Sequence, residues 1–218
     1  MGRFRLGIVI PAKNESGTIL KVVNSIKKYG DVLVISDAST DLTDKILKEK
    51  KINYLRNSKT LGYEKTILKG IKYLLKKKYS HLATFDADGE HDYRFFNNIK
   101  KFYKYDLIIG KRKSFNRYSE YIFSFLTNLI FKVQDPLSGL RVYKCKFLKK
   151  INLNNDNIMN TSIIFKIKFL KGKITYKKLN VYKRKDKSRM GSLFFINLKI
   201  FYYIFKLLFK LLFIKLKT

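Results

Sequence analysis

The order of apolar and polar positions in the first half of the chain predicts alternating strands and helices. A continuous apolar run at residues 6–10 ends at Pro11, which is typical of a strand buried on both faces of a parallel sheet. Residues 19–26 then have their apolar side chains at helical spacing. The same alternation predicts strands at 31–35, 52–55, 82–85 and 107–109, and helices at 43–51, 65–77 and 95–103. It indicates an α/β fold with a Rossmann-like, mostly parallel sheet flanked by helices, whose ligands bind at the carboxyl ends of the strands.

The second half of the chain is less regular. An aromatic helix is predicted at residues 118–131, followed by a loop at 134–139 that Pro136 and Gly139 mark. The remaining predicted elements are a strand at 140–143, a helix at 158–170, a strand at 174–181 and a basic loop at 183–189.

Residues 193–216 form an apolar and aromatic stretch with regularly spaced lysines. Lys199, Lys206 and Lys210 fall on one helical face, with a wide apolar arc opposite, which is typical of a helix lying in a membrane surface. A helix docked on the domain's own core, or on a partner such as a membrane-spanning subunit, is the alternative. A transmembrane span is disfavoured, because a lysine near the bilayer centre costs about 2.5 to 3.5 kcal/mol. We therefore divide the chain into a main domain, residues 1–191, and a basic amphipathic helix, residues 192–218.

Charge and cysteine content suggest where the protein works. The chain has 48 Lys and Arg against 16 Asp and Glu, a net charge of +32, which predicts attraction to polyanions such as an anionic membrane surface. We expect no specific nucleic-acid partner. The single cysteine, Cys145, excludes an intramolecular disulfide and fits a reducing compartment. We see no N-terminal targeting segment, and we expect a peripheral or monotopic protein on the cytoplasmic face of a membrane.

The stretch Asp86-Ala87-Asp88-Gly89-Glu90 follows a predicted buried strand and contains three acids at alternating positions. If the backbone stays extended, Asp86, Asp88 and Glu90 point the same way. Clustered carboxylates repel unless a cation neutralises them, and hard oxygen ligands suit Mg²⁺ or Mn²⁺ rather than zinc. Such a metal commonly binds a diphosphate. The alternative interpretation is a polar turn after a buried strand.

Several motifs together resemble the family-2 glycosyltransferases of GT-A fold, especially the dolichol-phosphate mannosyltransferase and polyprenyl-phosphate glycosyltransferase group. The similarity spans roughly residues 6–191. The motifs concerned are Pro11-Ala12-Lys13-Asn14-Glu15, Asp37-Ala38-Ser39-Thr40-Asp41, Asn57 with Gly62 and Gly70, the acidic stretch with His91, Gly110-Lys111-Arg112, and Asp135-Pro136-Leu137-Ser138-Gly139-Leu140-Arg141.

The resemblance also implies roles for individual residues. Ser36 replaces the first of the family's paired acids, and Glu90 stands where the lipid-phosphate enzymes usually have glutamine. The residues implied to bind the nucleotide-sugar are Pro11, Ala12, Glu15, Asp37, Asp86 and Ala87. Those implied to bind the metal are Asp86, Asp88 and Glu90.

The residues themselves favour a phosphate as the acceptor. The resemblance implies that residues 135–141 form the acceptor loop. An alcohol acceptor needs a general base, yet residues 159–162 after this loop, in a region where inverting relatives have an acid, read Met-Asn-Thr-Ser. A phosphate monoester needs no base, because it is already largely dianionic at pH 7. Side chains suited to its oxygens are Arg112, Ser138, Arg141, Arg184 and Arg189. Asp88, Arg112 and Arg189 are the predicted catalytic residues.

The sequence therefore predicts a metal-dependent, inverting glycosyltransferase. It would move a sugar from a nucleotide-sugar of the GDP-mannose or UDP-hexose type to polyprenyl or dolichyl phosphate at a membrane surface. A glycan or other hydroxyl acceptor is the alternative within the same fold. A non-catalytic protein that binds polyanions or membranes is the alternative from a different class, and the charge of +32 motivates it.

Overall fold

A computed structural model of the chain describes residues 4–115, 117–151, 153, 161–182, 197 and 200–202. In this part of the chain, seven strands form one sheet. The strands are β1 (Leu6–Ala12), β2 (Asp31–Ser36), β3 (Tyr54–Arg56), β4 (His81–Thr84), β5 (Leu107–Arg112), β6 (Arg141–Lys144) and β7 (Ile174–Leu179). The helices are α1 (Ile19–Ile26), α2 (Thr43–Glu49), α3 (Tyr63–Leu75), α4 (Tyr118–Phe131), α5 (Cys145–Leu148) and α6 (Thr161–Phe169).

Strand β1 is buried along its whole length because both faces of the sheet are covered. Ile8 and Ile10 face one hydrophobic cluster, which includes Val23 of α1. Val9 faces the other cluster, which includes Ile71 of α3. A strand packed on both sides needs apolar residues at successive positions, which explains the continuous apolar run in the sequence.

The strand order is β3-β2-β1-β4-β6-β5-β7. All neighbouring strands are parallel except where β6 runs antiparallel between β4 and β5. The antiparallel register pairs Thr84, the last residue of β4, with Arg141, the first residue of β6. The chain leaving β4 and the chain entering β6 therefore meet at the same edge of the sheet, although they are distant in sequence.

The prediction of an α-helix at residues 95–103 is wrong. The chain instead forms two short 3₁₀ turns, Tyr93–Phe96 and Ile99–Phe102. Asn98 between them adopts a left-handed backbone conformation, with φ of 58°, which an α-helix cannot contain. The buried side chains Phe95, Phe96 and Ile99 still pack on the core.

The described part of the C-terminal segment docks on α4. Ile200 is buried and forms a small hydrophobic cluster with Phe123 of α4. Phe201 and Tyr202, by contrast, are 44% and 58% exposed. Lys206 and Lys210 of the predicted basic face lie outside the described residues, and so does Lys199. None of the helices in the described ranges is long and apolar enough to cross a membrane.

Candidate active site

The acidic loop after β4 is built around Asp86. Its Oδ1 accepts a hydrogen bond of 2.6 Å from the Tyr63 hydroxyl at the start of α3. Its Oδ2 lies 3.5 Å from Nε2 of His91, whose ring packs edge-on against Phe85. Nδ1 of His91 is buried and has no hydrogen-bond partner among the described residues. Tyr63 of α3 and His91, five residues after Asp86, therefore fix the direction of this carboxylate.

The backbone does not stay extended through this loop. Gly89 has a φ of +78°, and the Asp88 carboxylate accepts a hydrogen bond of 3.0 Å from the Glu90 backbone N–H. The chain turns at this point, because a short acidic side chain readily caps the backbone two residues ahead. Alternation along an extended strand was thus the wrong reason for grouping Glu90 with Asp86 and Asp88. The main chain of Glu90 pairs with the segment after β7, where its carbonyl accepts from the Tyr182 N–H at 2.8 Å.

The carboxylates of this loop are nevertheless close enough to influence one another. Burial, followed by the charge of Asp86, raises the pKa of Asp88 to about 6, and the charge of Glu90 acts in the same direction. The Glu90 N–H and His91 partly oppose this rise. A cation bound between the carboxylates would relieve such repulsion.

The donor chemistry of the loop fits a hard divalent cation, since Asp86 and Asp88 offer carboxylate oxygens. Within the described residues, however, no group of three or more His, Cys, Asp or Glu side chains is placed to hold a metal ion together. Two carboxylates, those of Asp86 and Asp88, therefore fit a metal ion. The role of Glu90 as a third ligand stays a prediction.

Gly139 of the loop before β6 packs directly on Asp86. A Cβ built on Gly139 would overlap Oδ2 of Asp86 and would lie 2.9 Å from its Cγ. The Gly139 carbonyl also accepts a hydrogen bond of 2.6 Å from the Thr84 hydroxyl at the end of β4. Only glycine allows this approach, so the two loops form one site.

Arg141 enters the same site from β6. Arg141 is 4% exposed, and its guanidinium donates to the carbonyls of Ser138 at 2.9 Å and Pro136 at 2.7 Å. It also donates to the Tyr143 hydroxyl at 3.3 Å. These acceptors orient the guanidinium, which lines the pocket described below. Ser138 is fully buried, and its hydroxyl bonds to the Leu140 carbonyl at 3.4 Å.

A pocket lies between these loops and helices α3 and α6. Its lining combines hydroxyl groups, one guanidinium, one carboxylate and a few apolar side chains. The lining residues are Tyr63, Glu64, Ile67, Thr84, Leu137, Ser138, Gly139, Arg141 and Thr161. Tyr63 and Gly139 also contact Asp86, which makes this pocket the candidate for substrate binding.

Arg112, at the end of β5, forms ion pairs with two buried acids. Its Nη2 lies 2.7 Å from Asp135 Oδ1, and its Nη1 lies 3.1 Å from Glu120 Oε2. The Arg112 backbone N–H also donates to Asp135 at 2.9 Å. Burial would lower the pKa of Arg112, but the two carboxylates outweigh it and raise that pKa. Glu120 is shared with Arg117, so two cations and two acids balance in this network.

Asp37, just after β2, holds the loop that leads to α3. It is 3% exposed and accepts hydrogen bonds from the N–H groups of Leu61 at 2.8 Å and Gly62 at 2.9 Å. The Asn57 side chain donates to it at 2.8 Å. Burial would raise the pKa of Asp37, but these donors together lower it. Asp37 therefore shapes the entry to α3, and its own backbone N–H bonds to the Ala12 carbonyl.

The loops after β1 and β2 are also joined. The Asn14 side chain accepts from the Thr40 N–H at 2.7 Å, and the Ser16 N–H donates to Asp41 at 3.0 Å. Asp41 also binds Thr43, and these hydrogen bonds outweigh burial to lower the pKa of Asp41 to about 2. Glu15 lies buried between them and accepts from the Thr18 hydroxyl at 3.0 Å.

The family model of glycosyl transferase family 2 matches residues 7–201, which is most of the chain. The chain belongs to glycosyl transferase family 2. Its fold is accordingly the GT-A fold that the sequence motifs predicted.

Relatives of this family-2 glycosyltransferase include an uncharacterized protein of Methanocaldococcus jannaschii, 31% identical, with 66% of this chain and 66% of that protein covered. Another relative, from Methanococcus voltae, is named a UDP-N-acetylglucosamine–dolichyl-phosphate N-acetylglucosaminyltransferase. It is 26% identical, and the match covers 66% of this chain and 71% of that protein. The chain thus spans about two thirds of the length of the first of these relatives.

Among solved structures, a glucosyl-3-phosphoglycerate synthase from Mycobacterium tuberculosis has the same fold. It was crystallised with Mn²⁺, uridine diphosphate and glucosyl-3-phosphoglycerate. The TM-score is 0.68 at 15% identity, and the match covers 85% of this chain and 73% of that chain. At this identity the similarity shows the shared fold alone.

The glycosyltransferase structure brings some of the predicted site residues together and separates others. Asp86 and Asp88 lie in one loop, and Ser138 and Arg141 line the pocket beside it. Pro11 and Ala12 end β1, buried beside Ile35 and Ser36 of β2, and Ala87 is a buried residue of the acidic loop. Arg184 and Arg189 lie outside the described residues.

Sequence reasoning did not select Tyr63 or Thr161 as site residues, and it left His91 without a role. Tyr63 and His91 both contact Asp86, and Thr161 lines the pocket. For His91, its place in the acidic motif was an available signal. For Tyr63, the only signal was its position directly after Gly62 in the glycine-containing stretch. The Tyr63 contact depends on how α3 packs against the sheet, and the position of Thr161 depends on α6.

Proposed function

We propose that this protein is a metal-dependent, inverting glycosyltransferase that moves a sugar from a nucleotide-sugar to polyprenyl phosphate at a membrane surface. The main support is the packing of Gly139 on Asp86, because it joins the acidic loop and the loop containing Arg141 into one pocket. The first loop suits a metal and a diphosphate, and the second suits a phosphate acceptor.

In the proposed reaction, an oxygen of the acceptor phosphate attacks C1 of the sugar. The bond from C1 to the β-phosphate oxygen breaks, and its electron pair leaves with the nucleoside diphosphate. No proton has to be removed, because the attacking phosphate is already dianionic near pH 7. The acceptor phosphate loses one negative charge when it becomes a diester, and the departing nucleoside diphosphate gains one, so charge balances.

Each loop has a role in that step. Asp86 and Asp88 would hold a divalent cation, with Glu90 as the proposed third ligand, and the cation would stabilise the departing diphosphate as a Lewis acid. Tyr63 and His91 orient Asp86. The guanidinium of Arg141 would attract the acceptor phosphate. Mn²⁺ in the Mycobacterium tuberculosis structure supports a divalent cation, without deciding between Mn²⁺ and Mg²⁺.

Arg112 fits a different role from the one that the sequence suggested. Because its guanidinium lies between Asp135 and Glu120, it would act by holding the loop that begins at Asp135. Direct phosphate binding by Arg112, as by Arg184 and Arg189, remains a prediction. The name of the Methanococcus voltae relative supports a lipid-phosphate acceptor, and a UDP-sugar donor is the first choice for a test.

An exposed apolar face of α4 supports the membrane surface as the site of action. Tyr118, Tyr121, Ile122, Phe125 and Leu129 lie on this face at helical spacing and are 88%, 49%, 43%, 67% and 59% exposed. The helix has one acid, Glu120, which is buried and paired with Arg112 and Arg117. An uncharged aromatic face on a protein of net charge +32 suits the interface of an anionic bilayer.

The acceptor can be tested with a matched pair of lipids. Purified protein is incubated with Mn²⁺, UDP- or GDP-sugars, and either polyprenyl phosphate or the corresponding polyprenol. We expect a glycolipid only from the phosphate, and its loss in Asp88→Ala. An oligosaccharide is offered as acceptor in a parallel reaction. Product from the polyprenol alone, or from the oligosaccharide alone, would overturn the lipid-phosphate acceptor. No transfer to any acceptor, with vesicle binding unchanged by Asp88→Ala, would favour the non-catalytic alternative.

Membrane binding needs a separate test. Sedimentation with phosphatidylglycerol vesicles should fall clearly in the variant Phe125→Ser/Leu129→Ser. Leu42→Ser is the matched control, because Leu42 is 61% exposed in the loop before α2. Equal loss of binding in both variants would contradict the proposed role of α4.

A further inference from the structure

The hydroxyl of Thr161, at the start of the described part of α6, is a buried polar group. Thr161 is 2% exposed, and its Oγ1 forms no hydrogen bond with any of the described residues. A buried hydroxyl in this state costs free energy that a ligand oxygen would recover.

The pocket beside Asp86 is where that ligand would bind. Thr161 lines it together with Tyr63, Ser138, Gly139 and Arg141. The other hydroxyls of this lining already have partners within the protein. Thr84 donates to the Gly139 carbonyl, Ser138 bonds to the Leu140 carbonyl, and Tyr63 donates to Asp86. Of these four hydroxyls, that of Thr161 is the one left to bind a substrate.

The charge of the pocket indicates what kind of oxygen Thr161 would meet. The guanidinium of Arg141 brings a positive charge to a lining that also holds the Glu64 carboxylate, and an anionic oxygen would be attracted to the Arg141 side of the pocket. A threonine hydroxyl can donate to such an oxygen and, unlike a carboxylate, does not repel it. Thr161 also falls in the Met-Asn-Thr-Ser stretch that has no acid to act as a base.

We propose that the Thr161 hydroxyl binds the acceptor phosphate by donating a hydrogen bond to one of its non-bridging oxygens. Arg141 would contribute the charge, and Thr161 would fix the orientation of the phosphate. This inference rests on the proposed function, since it requires a phosphate acceptor. It predicts that a substitution of Thr161 changes the binding of the acceptor and not the binding of the nucleotide-sugar donor.

The test uses the full-length protein and the soluble probe farnesyl phosphate, whose binding is measured by isothermal titration calorimetry. Thr161→Val keeps the shape and removes the hydroxyl, and Thr161→Ser keeps the hydroxyl. A lost hydrogen bond to a charged group should weaken binding about 10- to 100-fold in Thr161→Val. Thr161→Ser should stay within about 3-fold of the parent protein. In transfer assays, Thr161→Val should raise the KM for the acceptor and leave the KM for the nucleotide-sugar unchanged.

A stability measurement separates this role from a structural one. Thr161→Val should keep or raise Tm, because it removes an unsatisfied buried hydroxyl. Thr127→Val is the contrasting variant and should lower Tm, because the Thr127 hydroxyl bonds to the Val133 carbonyl at 3.0 Å. If the parent protein and Thr161→Val bind farnesyl phosphate equally, the inference fails and the proposed function stands. If the parent protein does not bind farnesyl phosphate at all, the phosphate acceptor and this inference both fail.

Discussion

The carboxylate of Asp86 packs directly against the Cα of Gly139, at a distance that excludes any side chain at residue 139. The two residues belong to different loops, one leaving β4 and the other leading into β6. Antiparallel pairing of these strands puts both loops at the same edge of the sheet. The contact therefore couples the position of the proposed metal-binding carboxylate to that of the proposed acceptor loop.

Gly139→Ala is expected to reduce sugar transfer by roughly 10- to 100-fold, because a Cβ must displace Asp86 or the loop of Arg141. It should also lower the free energy of unfolding by about 1–3 kcal/mol, as overpacking does. Initial rates and urea denaturation measure the two effects. Gly17→Ala is the control, since a Cβ there meets no atom within 4 Å. Equal activity of the two variants would show that the close approach is not required.

Tyr63→Phe removes the hydroxyl that donates to Asp86 Oδ1. Loss of a group that orients a metal ligand typically weakens metal binding about 10- to 100-fold, so more Mn²⁺ should be needed for half-maximal activity. Titration of activity with Mn²⁺ measures this change. Tyr103→Phe, at a residue that is 46% exposed, should behave like the parent protein. An unchanged Mn²⁺ requirement in Tyr63→Phe would separate Tyr63 from the metal site.

Asp135→Ala is expected to lower the free energy of unfolding by about 3–5 kcal/mol, because Asp135 is buried and is the main partner of Arg112, whose side chain is only 15% exposed. Urea denaturation checks the magnitude. The double variant Arg112→Met/Asp135→Leu should recover much of this loss, since it removes both charges. The control is Glu49→Ala, which breaks the exposed pair with Lys45 and should leave stability nearly unchanged. If Asp135→Ala loses as little stability as Glu49→Ala, the ion pair of Arg112 with Asp135 does not stabilise the fold.

His81 should make stability depend on pH between about 4 and 6.5. Burial, with a smaller contribution from the charge of Lys144, lowers the pKa of His81 from 6.5 to about 4. In that window the unfolded chain binds a proton that the folded chain does not, so stability should fall as the pH is lowered through it. The effect of this group is up to about 3 kcal/mol.

The pH effect is measured as the difference between the parent protein and His81→Phe in urea denaturation at several pH values. Phenylalanine keeps an aromatic ring next to Phe4, on which His81 stacks at 4.8 Å. The parent protein should lose more stability than the variant between pH 6.5 and 4. If the free energy of unfolding changes with pH in the same way in the parent protein and in His81→Phe, His81 does not have the lowered pKa that its burial predicts.

Prediction from sequence succeeded where local pattern and burial agree. The apolar run of β1 and the spacing of apolar residues in α1 and α3 gave the right elements, because each of these faces a covered side of the sheet. Prediction failed at residues 95–103, where the left-handed Asn98 divides a helix-like pattern into two turns. It also failed for the backbone at Gly89, where a hydrogen bond from the Glu90 N–H to Asp88 ends the extension.

The sequence by itself determined the family, the fold and the presence of two acids after β4, because motif spacing and hydrophobic periodicity are local properties of the chain. Only the tertiary structure showed that Gly139 packs on Asp86, that Arg112 lies between Asp135 and Glu120, and that the Thr161 hydroxyl lines the same pocket. These contacts join residues distant in the chain. They depend on the antiparallel placement of β6 between β4 and β5, which no local pattern in the sequence encodes.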